Sequence, residues 1–202
     1  METRLPPIYV LGLTGSIGSG KSETARIFRR LRFPVSEADE IVRELYAASP
    51  LLQEALSNIF PFDHVPFSRS RVATLMMANP FLLDELEKVI HPLVKEEQNK
   101  RIKEARERGN KLIVLDVPLL FEAGWEKECD GILVVTCRSE IQKRRVMARA
   151  GMTEEKFEIL RRRQWSDEKK CAHADFILDT SQGRLHTFMQ LRQLLENKCR
   201  YL

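Results

Sequence analysis

Residues 15–22 read Gly15-Ser16-Ile17-Gly18-Ser19-Gly20-Lys21-Ser22, the spacing GxxxxGK[ST]. Each residue type in it has a reason to be there if the ligand is a polyphosphate. Glycines let the backbone turn tightly, so that successive N–H groups point at phosphate oxygens. A helix opening at Lys21 adds its free N–H groups and the positive end of its dipole. Lys21 reaches the β- and γ-phosphates as a point charge, and the Ser22 hydroxyl takes a place on Mg²⁺. The run follows an apolar stretch and opens a helical pattern, the context this mechanism requires. A nucleotide is therefore expected on Gly15, Ile17, Gly18, Ser19, Gly20, Lys21 and Ser22.

A phosphate loop alone does not say what receives the phosphate. The Asn-Lys pairs at Asn110 and Asn197 lack the aspartate of a guanine-reading NKxD motif, and 202 residues is small for a motor domain. Arginines point instead to a small-molecule kinase. Arg138, Arg145 and Arg149 share a helical spacing with Gln142, and Arg161, Arg162 and Arg163 follow on the next helical pattern. Cations closed over a transferring phosphoryl group stabilise its charge and exclude water. Arg145 and Arg149 are assigned to that lid chemistry, Arg161 and Arg162 to a solvated basic face. Asp116 ends an apolar strand pattern, either as an acidic Mg²⁺ partner or as a solvated strand-end residue.

The elements that must position these groups alternate. IYVLGLT (8–14), FPVSEAD (33–39), KLIVLDVP (111–118), GILVVTC (131–137) and DFILDT (175–180) read as strands. KSETARIFRRLR carries Ala25, Phe28 and Leu31 at three-residue spacing, and DEIVRELYAA places Ile41, Val42, Leu45 and Tyr46 on one face. Residues from about 50 to 108 are helical, broken by FPFDHVPFS, with Asn79-Pro80 as a helix start. Pro92 is expected to bend or break the long helix after His91. KEEQNKRIKEARERGN reads as a solvated helix closed by Gly109-Asn110. The last helix is expected to pack through Leu185, Phe188, Leu195 and Cys199. Five short apolar strands separated by helices imply a parallel sheet covered on both faces, a three-layer α/β sandwich. The helical insertion at about 45–108 forms a side lobe, and 138–170 a mobile lid, within a single domain spanning 1–202. That is the architecture of a small P-loop kinase.

The bulk numbers agree. The chain is 43% hydrophobic and 31% charged with a formal charge of +4, composition that fits a globular, water-borne protein. No run of about 18 apolar residues is present to span a membrane, and METRLPPIYVLG has no cleavable small-residue stretch. A cytoplasmic location is expected. Much of the positive charge falls between residues 138 and 170, while in KEEQNKRIKEARERGN the basic residues are interleaved with glutamates and do not read as a nucleic-acid surface; no nucleic-acid partner is expected. Cys129, Cys137, Cys171 and Cys199 show neither CxxC nor zinc-ligand spacing and are expected to be reduced thiols.

Taken in order, several segments resemble the dephospho-coenzyme A kinase family. GLTGSIGSGKS is similar to its phosphate loop, and SEADEIVREL to its D-A-D segment with the following arginine, Arg43. LEKVIHPLV carries the His91-Pro92 pair, and LDVPLLFEAGW the PLLFE run from Pro118 to Glu122. RRVMARAGMTEEKF resembles the lid, followed by Arg163-Gln164, and AHADFILDTSQG the last strand and turn. The matches run from about residue 8 to 183. The resemblance implies transfer of a phosphoryl group from ATP, with Mg²⁺, to the ribose 3′-hydroxyl of dephospho-CoA, the last step of CoA synthesis, by a monomer or small homo-oligomer.

It also implies residue roles. Asp39 would orient the 3′-hydroxyl and accept its proton, although an ordinary aspartate is a weak base toward an alcohol. An indirect contact with Mg²⁺, or plain helix capping, would suit the same carboxylate. Arg43, His91, Pro118, Leu119, Phe121 and Glu122 would line the acceptor site, although Pro118, Leu119 and Phe121 also read as core and His91 as a structural histidine rather than a catalyst. Four positions depart from the family pattern: Glu37 for the first aspartate of D-A-D, Ser16 for the second loop glycine, Ser68-Arg69 for an Asp-Arg pair, and Glu23 for a threonine. Ser16 must point away from the phosphates or need no positive φ, and Glu23 is expected to face solvent. Two other readings stay open: a kinase for a different acceptor such as a nucleoside monophosphate, and a non-catalytic nucleotide-dependent switch.

Overall fold

The computed structural model describes residues 7–61 and 66–198. In chain order these form β1 (Tyr9–Thr14), α1 (Lys21–Arg30), β2 (Val35–Glu37), α2 (Ala38–Ala48), α3 (Pro50–Ile59), α4 (Arg69–Ala78), α5 (Leu83–Glu107), β3 (Leu112–Asp116), β4 (Gly131–Thr136), α6 (Ser139–Met147), α7 (Glu154–Arg162), α8 (Asp167–Ala172), β5 (Phe176–Asp179) and α9 (Arg184–Lys198). Short 3₁₀ turns cover Pro80–Leu82 and Trp125–Glu128. The strands make one five-stranded sheet in the order β2-β3-β1-β4-β5, parallel in the pairings β1–β3, β1–β4 and β4–β5. The strand-rich α/β sandwich expected from the sequence is therefore present.

Strand alternation splits the sheet's side chains between two faces. Leu11, Leu13, Leu112, Val114, Leu133, Val135 and Leu178 share a core with Ala25, Ile27 and Phe28 of α1 and Leu191 and Leu195 of α9. Phe28 is fully buried there, and truncating such a side chain costs about 3–5 kcal/mol. On the other face, Leu120 and Cys129 crowd against Gly12. This packing fixes β1 as the central strand and aims its C-terminal end into the phosphate loop.

The chain divides into two compact units, one of residues up to Val35 and from Glu104 onward, the other Ser36–Lys103. The helical unit has its own core of Leu52, Leu56, Phe60, Phe67, Val72 and Leu86. Within it, the Gln53 amide donates to the carbonyls of Tyr46 and Phe67 and accepts from Phe67 N–H at 2.7 Å. Residues 62–65 of the predicted loop lie outside the described residues.

Three expectations need correction. Pro92 does not break α5, which runs through it for 25 residues. Its ring sits on the exposed side, its fixed φ is helical, and the loss is one backbone hydrogen bond. The charged second half of α5 is not wholly solvated: Gln98 and Ala105 are buried, and Arg101 pairs with Glu40 at 3.2 Å and with Glu44 at 2.5 Å. Its predicted closure holds, with Gly109 at φ 74° and Asn110 N–H bonding back to Ala105. Finally, Leu185 is 74% exposed, so α9 packs through Phe188, Leu191 and Leu195, while Cys199 lies outside the described residues.

Candidate active site

The phosphate loop leaves the end of β1 and closes on α1. Gly15 is required by contact: a Cβ there would fall 2.4 Å from the Val135 carbonyl oxygen. Gly20 is required by conformation, capping α1 at φ 103°. Ser19 N–H is spent on the Ser16 carbonyl at 3.0 Å, which sets the tight turn. Glu23 N–H and Thr24 N–H already bond Gly20 O at 3.0 Å. The first-turn N–H groups of Lys21 and Ser22 have no carbonyl one turn earlier in the helix to bond, so they face the turn as donors for an anion. Lys21 Nζ pairs with Asp116 Oδ1. Asp116 is 4% exposed, so the solvated strand-end reading is overturned; β3 runs alongside β1, and Val117 N–H bonds Leu13 O beyond it.

Side chains from distant segments hold the loop from outside. Gln164 Oε1 accepts Ile17 N–H at 2.9 Å, and Gln142 Nε2 donates to Ile17 O at 2.9 Å. Ser16 Oγ donates to Asp167 Oδ1, whose other oxygen accepts from Thr136 Oγ1 at 3.3 Å. Arg145 donates to the carbonyls of Gly18 (3.4 Å) and Ser19 (3.3 Å), and to Thr180 Oγ1 (2.8 Å) and O (2.9 Å). Thr180 Oγ1 itself donates to Ser19 O at 2.5 Å. Arg145 thus grips the loop's outer carbonyls. Arg149 is exposed and lies past Ala148, the C-cap of α6, while Arg138 is its N-cap; the single helical face drawn through 138, 145 and 149 is not formed. α6 ends at Met147, and Arg149 N–H bonds back to Val146 O at 3.0 Å in the turn beyond it. Arg161 and Arg162 are exposed as expected and border a cleft of about 560 Å³ with Ser16, Thr136, Trp165 and Asp167.

The turn after β3 is tied to the same segment. Glu122 Oε1 accepts Trp165 N–H at 2.6 Å and pairs with the fully buried Lys170 at 3.2 Å. Phe121 is buried and stacks on Trp165 with ring centroids 5.2 Å apart, and Lys169 sits over the Trp165 ring at 3.5 Å. Leu119 is 39% exposed and Pro118 half-buried, so the core reading fails for Leu119, whose place inside is taken by Leu120.

In the helical unit, Asp39 stands in the first turn of α2, not at its N-cap, which is Glu37. Capping by Asp39 is therefore ruled out. Its carboxylate pairs with Arg69 at 3.3 Å, both side chains about half exposed (52% and 53%). Arg43 is exposed on α2, and His91 is half-buried on α5.

Comparison with known proteins decides the family. The family model for dephospho-CoA kinase (CoaE) matches residues 9–185. The chain is 43% identical over 194 residues to dephospho-CoA kinase of Bartonella henselae, covering 93% of this chain and 99% of the relative. The chain belongs to the dephospho-CoA kinase family. Among solved structures, the crystal structure of TT1252 from Thermus thermophilus superposes with a TM-score of 0.82 at 32% identity, covering 95% of this chain and 98% of that one. Dephospho-CoA kinase from Campylobacter jejuni shares the fold, with a TM-score of 0.69 at 21% identity over 93% and 95% of the two chains.

Three of the four positions where this dephospho-CoA kinase family member departs from the pattern are structurally accommodated. Ser16 takes no positive φ and turns its hydroxyl to Asp167. Ser68 caps α4, accepting Arg71 N–H at 3.2 Å. Glu23 is not free in solvent but pairs with Arg26 and with Arg184 at 3.6 Å, which draws its charge away from the loop. The cysteines at 129, 137 and 171 are free thiols, as expected. Burial pushes all three thiols up, Cys129 to about 12. No helix among the described residues is long and apolar enough to cross a membrane.

Sequence reasoning missed Asp167, Thr136, Thr180 and Lys170 as site supports, and with them α8. The Ser166 cap, which accepts Lys169 N–H, and the acidic first turn were its only sequence signal. No group of three or more His, Cys, Asp or Glu side chains gathers among the described residues. A Mg²⁺ that takes most of its ligands from phosphates and water needs only one or two protein oxygens. The exposed Ser22 hydroxyl and the Asp116 carboxylate beside Lys21 fit that small donor set.

Proposed function

We propose that the protein phosphorylates dephospho-CoA at its ribose 3′-hydroxyl with ATP, giving CoA and ADP in the last step of CoA synthesis. The observation that carries this reading is the braced phosphate loop, with Lys21 on a buried aspartate, in a chain of this family. The hydroxyl oxygen attacks the γ-phosphorus, a new O–P bond forms, the bond from the γ-phosphorus to the β-phosphate oxygen breaks, and ADP leaves. The hydroxyl proton passes to Asp39. Because the transition state is loose, positioning and charge count for more than base strength, and Asp39 acts chiefly by orienting the nucleophile.

Gly18, Gly20, Lys21 and Ser22 hold the phosphates, and Gly15, Ile17 and Ser19, whose contacts are made within the protein, shape the loop around them. Lys21 stabilises the charge that gathers on the leaving phosphate. Ser22, with Asp116, would hold Mg²⁺, which supplies charge neutralisation at the phosphates when bound. Arg145 keeps the loop in shape, and the exposed Arg149 is the lid cation that meets the phosphoryl group. Arg43, His91, Pro118, Leu119 and Glu122 belong to the acceptor side, Glu122 by fixing the 118–124 turn through Lys170. The enzyme works in the cytoplasm as a monomer or small homo-oligomer and needs neither nucleic acid nor membrane.

The test is ADP release from Mg²⁺-ATP with and without dephospho-CoA, with the product weighed. A large acceptor-dependent rate and a gain of one phosphate are expected. ATP turnover indifferent to dephospho-CoA would overturn the acceptor and leave the phosphate loop.

A further inference from the structure

Ser16 is the loop residue where the family usually has glycine, and its hydroxyl has a specific destination. Asp167, 151 residues away, accepts it. Three features make this more than a passing contact. Ser16 is 6% exposed, so its hydroxyl cannot be satisfied by bulk water and needs a protein acceptor. The second Asp167 oxygen accepts from Thr136 at 3.3 Å, so the carboxylate spans the loop after β1 and the end of β4, two adjacent strands. Gln164, three residues before Asp167, accepts the next loop N–H, that of Ile17, at 2.9 Å. The same short segment therefore holds two consecutive loop residues, one by side chain and one by backbone.

We infer that Asp167 is a positioning residue for the phosphate loop: through Ser16 and Thr136 it fixes the loop's N-terminal half in the shape that receives the nucleotide. A bond to an ionised acceptor is about twice as strong as a neutral one, so the carboxylate suits this task. The loop's shape also becomes linked to the 164–167 segment, which borders the cleft with Arg161 and Trp165. Where glycine occupies position 16 no side chain is available for the link, so it belongs to chains with serine there. The inference rests on the nucleotide-binding half of the proposed function and not on the acceptor.

The experiment compares Ser16→Ala, Asp167→Ala, their double variant and Asp167→Asn. ADP affinity is read by calorimetry without any acceptor; kcat and the two KM values are read with ATP and dephospho-CoA. Each alanine variant is expected to weaken ADP binding about tenfold and to raise KM for ATP in parallel. KM for dephospho-CoA should stay within about twofold, because the acceptor side is untouched. The double variant should bind ADP no more weakly than the worse single, since both remove one interaction. Asp167→Asn should recover most of the loss, because its Oδ1 still accepts from Ser16 while Thr136 turns to accept. Losses that add in the double variant, or ADP affinity equal to the parent with only a lower melting temperature, would overturn the inference. If Asp167→Ala does not fold, Ser16→Ala and Asp167→Asn carry the same test. Because ADP affinity needs no acceptor, failure of the acceptor assignment reads out separately.

Discussion

Lys21 and Asp39 are both charged residues held by one opposite charge, yet the two pairs differ in kind. The side chains of Lys21 and Asp116 are 15% and 5% exposed, whereas those of Asp39 and Arg69 are 52% and 53% exposed. Removing a partner from a buried pair leaves a desolvated charge and is costly; an exposed pair is worth about 0–1 kcal/mol and exchanges readily with water or ligand. The phosphate-holding side is built in advance, with the loop fastened by Gln142, Arg145, Gln164 and Asp167. Asp39 is held loosely enough to give up its partner. A kinase has use for both: on the proposed roles the polyphosphate meets fixed donors, while the acceptor hydroxyl displaces Arg69 from the Asp39 carboxylate.

The most damaging way to break the built side is Lys21→Ala. On its proposed role it removes the cation on the leaving phosphate, and a loss in turnover of about 10²–10³ is expected, by the measure of one transition-state donor. Steady-state kinetics with saturating acceptor read it. Turnover within tenfold of the parent would mean that the loop's N–H groups suffice and that the buried pair is structural only.

Asp39→Ala sharpens the contrast from the other side. Turnover should fall about 10²-fold, the lower range for a positioned acid–base group. ADP affinity, measured by calorimetry, should stay within about twofold, because the proposed role of Asp39 lies with the acceptor and not with the nucleotide. Turnover equal to the parent removes Asp39 from the chemistry.

What could be read from the sequence follows the same divide between local and distant. The eight residues of the phosphate loop are contiguous, so chemistry and context are written in one place, and the loop forms between β1 and α1 as the motif demands. The braces were hidden because their partners are far apart in the chain: Gln164 meets Ile17 across 147 residues and Thr180 meets Ser19 across 161. A lone polar residue at an element's end carries no periodicity to announce it. Four-residue spacing puts Arg149 on the Arg145 face, but α6 stops at Met147, an end that no single residue in the spacing announces. The six residues of α8 are too few to show an apolar stripe, and its most buried member is Lys170, a type that composition assigns to the surface. On the acceptor side, the D-A-D resemblance located Asp39, while its place inside the first turn of α2 depended on where the strand ended.

Arg69→Ala probes the loose pair with the smallest expected effect. Two half-exposed side chains joined by one contact of 3.3 Å add little to folding, so the melting temperature should hold within about 2 °C. On the proposed role of Asp39, Arg69 and an incoming hydroxyl compete for its carboxylate, so removing the guanidinium would lower the cost of seating the acceptor but also free the carboxylate to rotate. The two effects oppose, and kcat/KM for dephospho-CoA should move by no more than about threefold. Salt supplies an independent check, because the Debye length falls to about 3 Å at 1 M. The gap between parent and Arg69→Ala should therefore close as ionic strength rises, while that between parent and Lys21→Ala should persist. A loss in Arg69→Ala as large as in Asp39→Ala, and indifferent to salt, would show that arginine and aspartate work as one fixed unit, and the contrast between a built side and an exchangeable one would not stand.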